Sequence, residues 1–224
     1  YPVLFTPPGY VFSIWGVIYL LLITLGVAQL RSKMHPVVQR IGPFFALSCL
    51  FNGLWLLAWH HHWLFVSWLL IVGLLLCLAV IYRRLIISGE AATLSSPLRW
   101  LLQLAFSIYL AWLCVATIAN TTILLAASEW SAWGLSASLW TAIMIGTAAV
   151  LGAALALYGR DPVFPWVFVW AVSGIASIRG GDDVIVGSAW IASIALAGLA
   201  IVLAVRLAQH RIRQRVTCSP GSKE

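Results

Sequence analysis

The stretch WLLQLAFSIYLAWLCVATIANTTILLAA, residues 100–127, contains no Asp, Glu, Lys or Arg. As a helix rising 1.5 Å per residue it would reach about 42 Å, more than the roughly 30 Å of hydrocarbon in a bilayer. A helix on the surface of a soluble core would carry a polar face, and this one has none wide enough. It is read as a membrane span, with Arg99 before it and Glu129 just beyond it.

Six more apolar runs have the same character: Gly9 to Leu30, Gly42 to Trp59, Trp63 to Tyr82, Gly134 to Tyr158, Val163 to Ile178, and Val184 to Val205. The predicted fold is therefore all-α, a polytopic integral membrane bundle of seven transmembrane helices, with the sixth the shortest. Pro7 and Pro8 precede the first span, Pro43 is expected in the first turn of the second, and Pro162 introduces the sixth. These are positions where a missing N–H costs little. Composition agrees, since 62% hydrophobic and 8% charged residues leave too little polar surface for a water-soluble domain.

Seven spans place the segments after the first, third, fifth and seventh on one side. Those segments hold every one of the 13 Lys and Arg residues except Arg179. The other side carries Arg179, Glu129, Asp182, Asp183 and the run His60, His61, His62. The positive-inside rule then puts Tyr1 outside and the C-terminal tail in the cytoplasm. The formal charge of +7 comes from these flanking clusters and not from a folded basic face, so nucleic acid is not an expected partner. Cys49, Cys77, Cys114 and Cys218 show no metal-type spacing and read as small apolar residues. The chain opens at Tyr1 without a Met or a signal pattern, so an upstream segment is expected.

Chemistry is sought in the aromatic and polar stripes. Phe12, Trp15 and Tyr19 share a face of the first helix, and Asn52, Trp55, Trp59 and His62 share one along and just past the second. Tyr109, Trp112, Ala116 and Asn120 line the fourth, with Thr117 beside them. Were these three helices neighbours, they would enclose an aromatic cavity in the outer half of the bilayer with two amides to orient a ligand. The alternative is that each Trp belongs to an interfacial belt and that the amides join helices by hydrogen bonds. His60, His61 and His62 are candidate ligands for a metal, a haem or a chlorophyll-type pigment, although adjacent residues do not share a helix face and headgroup contact is the competing role. Asp182 and Asp183 form a carboxylate pair that would bind a cation weakly, with a Gly180–Gly181 turn as the simpler reading.

Several functions lose support. Lys33 and Lys223, the only lysines, lie outside the spans, so a retinal Schiff base has no amine. The sequence shows no P-loop, GxSxG, HExxH or Rossmann fingerprint and no ionisable residue deep in a span, and no acid, base or metal cluster supports catalysis.

The segment TPPGYVFSIWGVIY, residues 6–19, resembles the signature of the tryptophan-rich sensory protein and translocator protein family, also called the peripheral benzodiazepine receptor family. FNGLW supplies Asn52 and Trp55, and YLAWLCVATIAN supplies Tyr109, Trp112, Ala116, Thr117 and Asn120 at the spacing of the family's last helix. In departure from the pattern, the step from Phe12 to Trp15 is one residue shorter, Tyr10 replaces a Trp, and His60 to His62 replace small and aromatic residues. The resemblance covers Pro7 to about Ala127 and matches the second to fifth helices of a five-helix fold.

That resemblance divides the chain into translocator-like helices over 1–127, three additional helices over 128–209 and a basic tail over 210–224. It implies a membrane receptor, carrier or sensor that binds a porphyrin or other tetrapyrrole, or a sterol-like lipid, in an outer-facing cavity. The ligand-binding residues it implies are Pro8, Tyr10, Trp15, Tyr19, Asn52, Trp55, Trp59, Tyr109, Trp112 and Asn120. Membrane lipids, the hydrophobic ligand, and a second copy or a larger membrane complex are the implied partners, in a bacterial inner membrane or an organelle or photosynthetic membrane. A non-catalytic or pigment-binding subunit of such a complex is the competing function, motivated by the Trp-rich surfaces and the His run.

Overall fold

A computed structural model of the protein describes residues 3–31, 36–89 and 94–217. Tyr1, Lys33, Cys218 and Lys223 lie outside the described residues. Among those described, every regular element is helical: α1 Ile14–Arg31, α2 Pro36–His60, α3 Leu64–Tyr82, α4 Ser96–Ala127, α5 Ala137–Gly159, α6 Val163–Ser177 and α7 Asp183–Thr217. A 3-10 turn, Gly9–Ser13, leads into α1, and a π-helical turn, Arg83–Ile87, follows α3.

The helix bounds depart from the sequence reading in three places. α2 starts at Pro36, so Pro43 sits inside the helix and not in its first turn. Gln39, whose carbonyl loses its N–H partner at Pro43, is exposed, which lets that carbonyl find another donor. α7 runs on to Thr217, so the region read as a tail from residue 210 begins as helix.

The third difference concerns the seven spans: six helices are long and apolar enough to cross a bilayer, and α6, with 15 residues, is not. At 1.5 Å per residue α6 reaches only about 22 Å. It nevertheless runs between the two ends of the bundle. At its start, Asp161 accepts a hydrogen bond from Tyr82 at the end of α3, and at its finish Ser177 Oγ lies 3.2 Å from the Tyr10 hydroxyl before α1. Phe164, Phe168, Ala171, Val172 and Ile175 are fully buried. Trp166 and Trp170 are exposed, but the rest of α6 is largely covered, and a helix covered by protein over most of its surface does not have to match the lipid thickness, because its flanking backbone is shielded by neighbours.

α4 forms the axis. The buried share of its span is 61%, against 22–33% for the other five long spans. It packs on α1, α3, α5 and α6, while α2 packs mainly on α3, and α7 on α5 and α6. Lipid tails are as apolar as the side chains, so such helices are held by close fit. Small residues supply it: a Cβ on Gly152 would stand 2.9 Å from the Phe168 ring, and one on Gly174 would stand 2.4 Å from Val11 Cγ2. Gly174→Val should therefore cost about 1–3 kcal/mol and lower the melting temperature of purified protein. Gly187→Ala, with nothing within 4 Å of its new Cβ, should leave the melting temperature nearly unchanged.

Contacts also sort the charges. Arg84 donates to the Arg40 carbonyl at 2.7 Å, and Tyr82 beside Arg83 meets Asp161 beside Arg160, which gathers these four arginines at one end. Arg179 lies at the other, donating to the Leu4 and Val3 carbonyls.

Candidate functional site

α1, α2 and α4 do meet through their aromatic stripes. Trp15 is the hub: its ring centroid lies 5.6 Å from Tyr19, 6.1 Å from Trp55, 5.8 Å from Tyr109 and 6.5 Å from Trp112. Phe12 stands edge-on to Trp112 at 5.6 Å, and Trp59 extends the array from Trp55 at 6.4 Å. Tyr109, Trp112 and Trp55 are buried and form the floor, whereas Phe12, Tyr19 and Trp59 are exposed along the rim. The arrangement follows from helix periodicity, which puts residues three and four apart on one face.

The polar atoms of this cluster are only partly satisfied. Asn52 Nδ2 donates to the Tyr19 hydroxyl at 3.4 Å. Among the described residues, four buried side-chain polar atoms have no hydrogen-bond partner, and three of them are here: Asn52 Oδ1, Trp55 Nε1 and Trp112 Nε1. The fourth is Ser193 Oγ in α7. A buried donor or acceptor left unpaired costs about 1–3 kcal/mol. Two indole N–H groups and one amide oxygen around the same aromatic floor are what a ligand with acceptor oxygens and a donor would satisfy.

Three residues of the sequence-derived set are placed elsewhere. Tyr10 turns to α6, with its hydroxyl 3.2 Å from Ser177 Oγ and its ring 5.8 Å from Trp170. Pro8 caps the 3-10 turn, where its carbonyl accepts from Val11 N–H. Asn120 faces α3: its Oδ1 accepts from the Ser67 hydroxyl at 3.2 Å and its Nδ2 donates to the Ala116 carbonyl. Trp68 Nε1 donates to Thr121 in the same interface, so Asn120 sits in a polar seam between α3 and α4.

His60, His61 and His62 occupy the tip between α2 and α3, exposed, with His61 stacked on Trp63 at 5.3 Å. Among the described residues no group of three or more His, Cys, Asp or Glu side chains is placed to hold a metal ion. Asp182 caps α7: its Oδ1 accepts from Ile185 N–H at 3.1 Å and its Oδ2 from the Ser138 hydroxyl. The Ser138 hydroxyl, helped by that N–H, holds the Asp182 carboxyl below the usual carboxylate range.

One residue was missed by the sequence reading. Asp161, in the link between α5 and α6, is fully buried. Its Oδ2 accepts from Ser107 of α4 and Tyr82 of α3, and its Oδ1 accepts from Val163 N–H at 2.9 Å. Burial pushes its carboxyl pKa up, against the opposing pull of these three donors. Its place two residues before Val163 is the capping chemistry of a helix start, which was the available signal. Gly159 makes room for this centre, since a Cβ there would lie 2.1 Å from the Tyr82 hydroxyl.

Helices of membrane-crossing length packed through a shared aromatic cluster define an integral membrane helical bundle. The chain belongs to the TSPO-like protein family, whose model matches residues 1–203. That match takes in α5, α6 and most of α7, whereas the residue-level resemblance ends near Ala127. Comparison with curated proteins and with solved structures gives no match. Family membership and the membrane bundle together support a receptor- or sensor-type membrane protein.

Proposed function

We propose that this protein is a membrane receptor or sensor for a planar hydrophobic ligand of the tetrapyrrole or sterol-like class, bound on the α1–α2–α4 aromatic floor. The observation that carries this reading is the set of unpartnered polar atoms, Asn52 Oδ1, Trp55 Nε1 and Trp112 Nε1, within one aromatic cluster. Indole faces suit a flat conjugated ligand, and the two N–H groups suit its carboxylate or carbonyl oxygens. The same reading takes the arginine-rich end as cytoplasmic and the end bearing Arg179, Asp182 and the His run as exterior, on charge grounds.

Access sets the mechanism. Trp15 and Trp55 are 6.1 Å apart with a 30° tilt, closer than the roughly 7 Å that a ring sandwiched between two others needs. Phe12 of the 3-10 turn and Trp15 of α1 cover Trp112, so a ligand reaches the indole N–H groups only when these two side chains swing aside. That movement is the signal a receptor would transmit, because it lies at the junction of the 3-10 turn and α1.

Titration of protoporphyrin IX into purified protein, followed by Trp fluorescence, tests the reading. Trp55→Phe and Trp112→Phe keep a ring but remove an N–H, and each should weaken binding about 3- to 10-fold. Binding that is saturable yet equally tight in both variants would remove this site from the account.

A further inference from the structure

A second aromatic site lies at the end of the bundle that carries Arg179. Between the N-terminal segment, the end of α4 and the start of α5 is a cavity of about 310 Å³. Val3, Leu4, Leu125, Ala126 and Leu135 give it apolar walls, and Trp130 and Trp140 give it aromatic ones. Trp133 completes a trio of indoles standing nearly at right angles, at 79°, 73° and 84°, with centroids 5.0, 4.7 and 6.0 Å apart. None of these residues belongs to the α1–α2–α4 cluster.

The loop that places them is held in a costly shape. Glu129, Ala132 and Trp133 have φ of 54°, 51° and 55°, and Gly134 follows at 77°. Side-chain-bearing residues avoid this left-handed region, and such departures concentrate where a ligand is clamped.

The polar character of the cavity selects the ligand. The Thr122 hydroxyl donates to the Ala119 carbonyl at 2.7 Å and the Thr141 hydroxyl to the Ala137 carbonyl at 2.8 Å. Their protons are committed, so each offers only lone pairs to the cavity. Among the described residues no cationic side chain lines it. At this end Glu129, Asp182 and Asp183 outnumber Arg179, whose guanidinium donates to the carbonyls of the lining residues Leu4 and Val3. Indole faces attract cations through the ring quadrupole, most strongly where water is excluded.

We propose that this cavity binds a lipophilic organic cation, an aryl or alkyl quaternary or protonated amine, on the faces of Trp130 and Trp140, with Glu129 next to Trp130 in the chain. The site is separate from the one assigned to the planar ligand and does not depend on it.

The test uses the full chain in nanodiscs of neutral lipid, with benzyltrimethylammonium and its uncharged isostere neopentylbenzene as probes, read by Trp fluorescence and calorimetry. The cation should bind saturably and at least about 5-fold tighter than the isostere. Trp140→Leu and Trp130→Leu should each weaken the cation about 5-fold. Trp140→Phe should fall between Trp140→Leu and the parent, and Trp55→Phe should change nothing here. Glu129→Gln should reduce both the affinity and its salt dependence. Equal affinity for cation and isostere, no saturable binding of the cation, or full affinity in a folded Trp140→Phe and Trp130→Leu pair would each overturn the proposal.

Discussion

Asp161→Ala should destabilise the protein by about 2–4 kcal/mol, because unpaired buried donors cost about 1–3 kcal/mol each while the cost of burying the carboxyl itself is removed. The substitution strands the Ser107 and Tyr82 hydroxyls and the Val163 N–H in a buried site, and each stranded group carries its own desolvation cost. It also unfastens the link between α3, α4 and the start of α6. Asp161→Asn should cost less, since an amide oxygen can keep one or two of these bonds. Gly159→Ala should act on the same centre by pushing the Tyr82 hydroxyl away, so its cost and that of Asp161→Ala should fall short of additive. Denaturant titration of the purified variants checks all three.

The same carboxyl predicts a pH dependence with a definite sign. Its folded pKa is raised above the ordinary value of 3.8 by burial. Between 3.8 and that raised value the folded state holds more protons than the unfolded state, so this group's stabilising contribution falls as pH rises through the window. Asp161→Asn should flatten the slope. A slope that survives in Asp161→Asn would assign the effect to another group.

Trp112→Ala should be the costliest change in the aromatic floor. Trp112 is 1% exposed, stands under Phe12 and Trp15, and belongs to the buried core of α4. In water such a truncation costs about 3–5 kcal/mol. In a bilayer the transfer component shrinks, because the unfolded alternative is also apolar, and the loss is mainly packing, leaving about 2–4 kcal/mol. Trp112→Phe should cost well under that while still weakening the ligand. The contrast separates the ring's structural role from the N–H group's role in recognition, and thermal melts paired with porphyrin titrations read both.

The uncharged stretch of residues 100–127 announced its own helix, and so did the other long spans, because hydrocarbon imposes a length and a composition that sequence displays directly. α6 shows where that legibility ends. Its burial by α4, α5 and α7 frees it from the length rule, and nothing in its local sequence states what will surround it. Periodicity likewise put Trp15, Trp55 and Trp112 on definite faces, and the structure joins those faces. It does not fix rotation toward a helix end: Asn120 lies on the α4 stripe by spacing, yet Ser67, distant in sequence, draws it to α3, and Tyr10, implied by the resemblance, is drawn to α6 by Ser177. Asp161 escaped notice because a carboxylate between two apolar runs looks like an exposed loop residue until its partners from α3 and α4 are known.

A density map of the protein with protoporphyrin IX bound is the most direct test of the α1–α2–α4 site. The account predicts planar density on the aromatic floor, Phe12 and Trp15 displaced, and ligand oxygens about 2.9 Å from Trp55 Nε1 and Trp112 Nε1. Density lodged elsewhere, with both indole N–H groups still unpartnered and Trp15 still packed on Trp55, would contradict it.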